Sequence, residues 1–394
     1  MKKILVLNGT ISEIPIIKKA QEMGYYVVTS GNMPDLPGHK VSDEYIPEDY
    51  SDVEAILKLV KENGIEGIVS CANDFGSITA SYVGEKMGWK GHDTYENALL
   101  MHHKDLFKEY CYKNNIPSPR SIVFGNIDDA IDFCFGCSYP VIVKANDLTG
   151  GKGICRADNA VQAVEAVKEA MRLSRDKKVL IEPFLEGVQQ SIVVFLIDKK
   201  IAVLSNSNVY CMKNPYLVQA ETYPATDFYL VEDQLRNIIE AMAEDLNLVD
   251  GIFSFQYIVQ NGVPYVLEMM RRCFGNETLL LADKRTGYPW EEAYIRAALG
   301  LDCSQLKAQG QITDYCGHYG VMADEDGILE EWSLPEDIEK RVFKKTVNLN
   351  SGDVVENHMN EKIAHIYFTY EDIETMNEDI VKYNDRIIVN VKSL

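Results

Sequence analysis

Short apolar runs alternate with amphipathic stretches from the start of the chain. Residues 3–7 form a buried-strand run ending at Asn8-Gly9, Ile14, Ile17 and Ala20 then share one helical face, and residues 26–29 form a second strand run. Ser51 and Glu54 read as a capping box for a helix that carries Val53, Ile56, Leu57 and Val60 on one side. Gly64 ends that helix, and residues 67–70 read as a further strand. Strands alternating with helices predict a parallel sheet, so the fold class is α/β, with a doubly wound domain over roughly the first hundred residues. Only Gly9 stands in the first strand-to-helix turn, where a dinucleotide fingerprint needs three glycines; NAD and FAD are therefore excluded there.

Further along, a helix is predicted from His102, His103 and Lys104 to about Asn114, followed by an extended break at Ile116-Pro117-Ser118-Pro119. A short helix (129–135) and a strand (141–144) come next, then a helix capped by Asp158 with Val161, Val164, Val167 and Met171 at helical spacing. Strands are predicted at 179–181, 191–197 and 201–204, the last two joined by a turn at Asp198-Lys199-Lys200. After a helix over 232–246, the runs 253–259 and 264–269 flank Asn261-Gly262, the strongest hairpin signal in the chain. A helix ending near Gly300 precedes a small α+β segment with strands at 318–322, 363–368 and 387–391. The pattern divides the chain into an N-terminal α/β domain (1–103), a central domain (104–300) and a C-terminal α+β cap (301–394).

Composition narrows the partners. With 394 residues and 46% of them hydrophobic, the chain has enough apolar mass for several cores. A net charge of -21 without a dense Lys/Arg cluster repels nucleic-acid backbones and anionic membrane surfaces, while a compact polyanion remains admissible where a few lysines and a metal control the local field. The opening apolar run is too short for a signal-peptide core, no stretch approaches the ~18 apolar residues of a membrane helix, and nine irregularly spaced cysteines suit reduced thiols; these features predict a cytoplasmic protein. Cys134 and Cys137 form a C-x-x-C pair with no second ligand pair in view, so packing thiols are the plainer reading.

Three segments carry candidate chemistry. In the stretch 140–154, Lys144 ends a buried strand and Gly150, Gly151 and Gly153 follow close behind. A buried lysine seeks an anion, and a glycine-rich loop can wrap phosphate oxygens with backbone N–H groups. The segment is not a Walker motif, because it lacks the Gly-Lys-Ser/Thr spacing and runs into a strand. Glu182, Pro183, Phe184 and Leu185 form an extended linker after an apolar strand, suited to holding an adenine edge. The hairpin places Gln256 and Glu268 on adjacent strands, where they offer the hard oxygen ligands that Mg²⁺ prefers, with Arg272 four residues beyond Glu268. Singly, each segment is as well explained as an ordinary hairpin or strand end; their order is the signal.

That order, with Lys104 ahead of it, resembles the ATP-grasp superfamily of carboxylate-amine ligases related to carbamoyl-phosphate synthase, biotin carboxylase and L-amino acid ligases, and the resemblance spans nearly the whole chain. It implies an N-terminal α/β domain, an ATP-grasp domain of two α+β subdomains and a small C-terminal cap, with ATP and Mg²⁺ as cofactors. It further implies that Lys104 and Lys144 contact the phosphates under the glycine loop, that Glu182 to Leu185 hold the adenine, and that Gln189 stands where the family has a ribose-binding glutamate. Gln256 and Glu268 take the metal positions, with Glu268 bridging, and Arg272 becomes the candidate for stabilising an acyl phosphate. Met270 stands where the family writes a metal-binding asparagine; a thioether is a poor Mg²⁺ ligand, which leaves Asn276 or a weak second site as alternatives. The implied activity joins a small-molecule carboxylate to an amine with release of ADP and phosphate; a carboxylase, a small-molecule kinase or a nucleotide-binding protein with degraded catalysis are the alternatives. A homodimer is open, since many members of the family are dimers.

Overall fold

The computed structural model describes residues 1–310 and 312–393. Gln311 and Leu394, both in the segment assigned above to the cap, lie outside the described residues. The expected β-α-β opening is present: strands Glu44–Tyr45, Tyr26–Ser30, Lys3–Leu7 and Ile68–Val69 lie side by side in that order, all parallel. Leu5 and Val6 are buried on both faces of this sheet, as the unbroken apolar run requires.

A second sheet of four antiparallel strands, in the order Ile122–Phe124, Val179–Pro183, Val141–Ala145, Ile154–Ala157, is backed by helices Ile127–Cys134 and Ala160–Leu173. The largest sheet runs Val263–Met270, Gly251–Gln260, Gln189–Ile197, Lys200–Tyr210, Ala220–Tyr223, Tyr315–Val321, Ala364–Tyr370 and Val342–Val347, antiparallel throughout. Strands from the C-terminal segment thus extend the sheet that the central segment begins. Helix Trp290–Ala298 joins the layers: Trp290 and Ala293 pack in one core with Ile4 and Val6 of the first sheet and Phe195 and Ile252 of the largest. Both hairpin turns have the expected geometry, with positive φ at Asp198 and Lys199 and at Asn261 and Gly262.

Three local expectations shift. Asp52, not Ser51, caps helix Val53–Glu62, accepting from the Glu54 and Ala55 amides, because Ser51 is drawn back to the Asp49 carboxylate. Asn159 likewise caps helix Ala160–Leu173 in place of Asp158, whose carboxylate is taken by Arg156. His102 closes the preceding helix, Tyr95–His102, while Lys104 opens the next one, Lys104–Lys113. The nine cysteines are free thiols, Cys134 buried and Cys137 partly so.

Candidate active site

A cleft of about 440 Å³ is lined by residues of the four-stranded sheet on one side and the eight-stranded sheet on the other. That volume suits a small organic ligand. Lys104, Lys144, Gly150, Gly151, Glu182, Pro183, Phe184, Leu185, Gln189, Gln256, Glu268 and Arg272 all line it. Gly153 sits behind the loop, where a Cβ would meet the Ala145 Cβ at 2.8 Å.

The cationic side is uneven. Lys104 Nζ donates to the carbonyls of Leu148 (2.6 Å) and Asn146 (3.4 Å) and meets no carboxylate within ion-pair distance among the described residues. Burial pushes its pKa below the usual lysine range, partly offset by the Glu268 charge. Lys144, by contrast, is paired with Glu182, whose second oxygen faces Lys108 Nζ at 3.4 Å and accepts from Ser121 Oγ at 2.6 Å. Burial alone would raise the Glu182 pKa, but the Lys108 and Lys144 ammonium groups hold it down to about 2. Lys108 was not singled out from the sequence. Its signal was a lysine on a helix face otherwise made of Phe107, Tyr110 and Cys111, where a buried ammonium demands a partner.

The glycine loop joins strands Val141–Ala145 and Ile154–Ala157, and Gly150, Gly151 and Gly153 all have positive φ. It closes against the far side of the cleft: the Arg156 amide donates to Tyr216 OH at 2.6 Å, and a Cβ on Gly151 would lie 2.3 Å from the Tyr216 carbonyl oxygen. Gly151→Ala therefore meets both an unfavourable φ of 75° and a backbone collision. Displacing the loop costs about 1–3 kcal/mol, so titration calorimetry with MgADP, the ligand implied by the resemblance to the ATP-grasp superfamily, should read binding weaker by on the order of tenfold.

Across the cleft, Gln256 and Glu268 are direct cross-strand partners, so their side chains share a face. Gln189 Nε2 donates to Gln256 Oε1 at 2.6 Å. Glu268 makes no side-chain hydrogen bond or ion pair among the described residues, although its charge is felt by Lys104. Met270, opposite Ser254, lines the same cleft, as does Asn276 a short way downstream in the chain. Arg272 is held by Asp74, at the first turn of helix Asp74–Met87, and its Nη1 donates to the Cys273 carbonyl at 3.1 Å. Although burial favours its neutral form, Asp74 is held well below the usual carboxylate range by Arg272 and His102. The tie to Asp74 links helix Asp74–Met87 to the cleft, and nothing local in the sequence announces it.

The resulting chamber has carbonyl-held ammonium on one wall and a carboxylate and amide oxygens on the other, a donor set for a polyanion together with a divalent metal. The family model for the carbamoyl-phosphate synthase L chain, ATP-binding domain, matches residues 103–306, just over half of the chain. The chain belongs to that ATP-grasp family. A carbamoyl phosphate synthase large chain, C-terminal section, from Methanocaldococcus jannaschii is 24% identical over 311 residues, covering 75% of this chain and 49% of that relative. The chain thus spans about half the length of that relative. Among solved structures, an L-amino acid ligase from Bacillus licheniformis superposes with a TM-score of 0.82 at 17% identity, covering 100% of this chain and 99% of that one. The biotin carboxylase domain of a 2-oxoglutarate carboxylase from Hydrogenobacter thermophilus, solved with MgADP and bicarbonate, gives a TM-score of 0.76 at 18% identity over 99% of this chain and 91% of that one. The two solved structures share the fold of this ATP-grasp protein. No helix among the described residues is long and apolar enough to cross a membrane.

Proposed function

We propose that this ATP-grasp protein is an ATP-dependent ligase that activates a substrate carboxylate as an acyl phosphate and passes the acyl group to an amine, releasing ADP and phosphate. One observation carries the reading. Lys104 and Glu268 line the same cleft, yet neither has an ion-pair partner among the described residues. Leaving both charges uncompensated is unfavourable unless a ligand supplies an anion to the first and a cation to the second.

The residues fit ATP and Mg²⁺ on that ground. Lys104 and Lys144 would hold the phosphates beneath the loop at Gly150 and Gly151, and Gln256 and Glu268 would hold the metal, which neutralises phosphate charge when bound. Because both oxygens of Glu182 are engaged by Lys144, Lys108 and Ser121, the adenine edge would be read mainly by the backbone through Leu185, with Gln189 near the ribose. Arg272, fixed by Asp74, would steady the negative charge on the acyl phosphate as the amine attacks the acyl carbon and phosphate departs. The glycine loop, resting on Tyr216, would keep water from that intermediate. The domain division 1–103, 104–300 and 301–394 belongs to this proposal, as do a cytoplasmic location and a homodimer.

The test is a panel of carboxylic acids with ATP, Mg²⁺ and hydroxylamine as a generic nucleophile, scored for hydroxamate and ADP. An acid-specific hydroxamate signal with matching ADP is the expected result. A bicarbonate requirement would instead indicate a carboxylase, and a stable phosphorylated product a kinase. Met270, a thioether side chain among the cleft residues, favours one further alternative, a nucleotide-binding protein without turnover; MgADP binding with no acid-dependent ADP across the panel would establish it.

A further inference from the structure

The nucleotide and metal residues account for only part of the cleft. The lining also includes Glu221, Asn276 and Lys362, the last delivered by the loop that precedes strand Ala364–Tyr370. The stem of Lys362 passes directly over Gly320, where a Cβ would lie 2.7 Å from Lys362 Cδ and 2.9 Å from Cε. A glycine at that point of strand Tyr315–Val321 therefore leaves a track along which the lysine reaches the cleft.

Its ammonium is held by two neutral acceptors, the Val218 carbonyl at 2.6 Å and Asn276 Oδ1 at 3.1 Å, and forms no ion pair among the described residues. Two N–H bonds are thus satisfied and the third is left over. Burial pushes the Lys362 pKa down to about 8 even with the Glu221 carboxyl nearby. Glu221 forms no ion pair with Lys362; its carboxyl instead accepts from Ser207 Oγ at 3.0 Å and Tyr223 OH at 3.2 Å.

Asn276 is also set in place deliberately. Asn276 and Glu277 are consecutive non-glycine residues with positive φ, 59° and 53°, a strained pairing that persists only where surrounding contacts enforce it. Those contacts are Ser12 Oγ on the Asn276 amide (3.1 Å), Tyr367 OH on its carbonyl (2.7 Å), and Lys344 Nζ (2.6 Å) and Thr346 Oγ1 (2.7 Å) on the Glu277 carboxylate. The first and last parts of the chain both clamp this turn, which fixes the amide that orients Lys362.

We propose that Lys362, oriented by Asn276, is a specificity residue that binds a carboxylate remote from the reacting group of a substrate. This rests on the ligase reading. The carboxylate has two sources in that reaction, a second acid group on the activated acid or the acid group of an amine that is itself an amino acid.

The full-length protein loaded with MgADP is titrated calorimetrically with glutarate against glutaramate for the first source, and with glycine against glycinamide for the second. A charge-assisted hydrogen bond at Lys362 should favour the member with the additional carboxylate in at least one pair by about tenfold or more. Lys362→Met should erase that preference, Lys362→Arg should keep most of it, and MgADP affinity should stay unchanged in both. The pair that responds identifies the source. No charge preference in the wild-type protein, a preference that survives in Lys362→Met, or loss of MgADP binding in that variant would each overturn the proposal. Failure of the wild-type protein to bind MgADP at all would instead sink the ligase reading.

Discussion

Glu268→Ala is expected to lower Mg²⁺-dependent ADP release by on the order of 100- to 1000-fold while leaving the unfolding midpoint nearly unchanged. The two halves of that expectation have one cause. A carboxylate with no hydrogen-bond or ion-pair partner among the described residues makes no direct contact that holds the fold, so its removal costs only the charge it lends Lys104 across the cleft. The same lack of a partner leaves its full charge for a metal, which Gln256 alone, a neutral amide opposite it in the hairpin, would hold weakly. Turnover is read by coupled ADP release with the best acid from the hydroxamate panel, and stability by thermal unfolding. Wild-type turnover in the variant would mean that the hairpin holds no catalytic metal.

Glu182→Gln should behave oppositely, costing about 3–5 kcal/mol of stability because it strands two buried ammonium groups. Side-chain exposure is 2% for Lys108 and Glu182 and 12% for Lys144, so water cannot replace the lost carboxylate. The effect carries a pH signature. Glu182 titrates at about 2 in the folded protein against an ordinary 4.5, so its contribution is fully present above pH 4.5 and is lost as pH falls from there toward about 2. Urea unfolding at neutral pH measures the loss, and adding Lys108→Met to Glu182→Gln should recover part of it, since one stranded charge is then removed. A loss below about 1 kcal/mol would show that Lys108 and Lys144 find other partners.

How far the sequence could be read follows from the range of each interaction. Local signals carried well: the strand runs at 3–7 and 26–29 became neighbouring parallel strands, and Asn261-Gly262 became the turn that sets Gln256 opposite Glu268. Caps slipped by one residue because Ser51 and Asp158 had competing partners at Asp49 and Arg156, a choice that periodicity does not encode. The larger omissions are non-local. Strand Ala220–Tyr223 pairs with Tyr315–Val321, so segments about a hundred residues apart share one sheet, and that pairing sets Gly320 beneath the stem of Lys362, which lines the cleft. Lys108, one helical turn past Lys104, was hidden for a different reason. Its partner Glu182 reads from the sequence as an adenine contact, and only the packed structure shows both of its oxygens committed within the protein.

The central claim is that the lysines of one wall and the hairpin carboxylate of the other serve a single nucleotide. A crystal structure of the protein with a non-hydrolysable ATP analogue and Mg²⁺ tests it most directly. The account predicts Lys104 and Lys144 on the phosphates and Glu268 on a metal bound to those same phosphates. An analogue seated elsewhere, or phosphates and metal held in separate cavities, would contradict it.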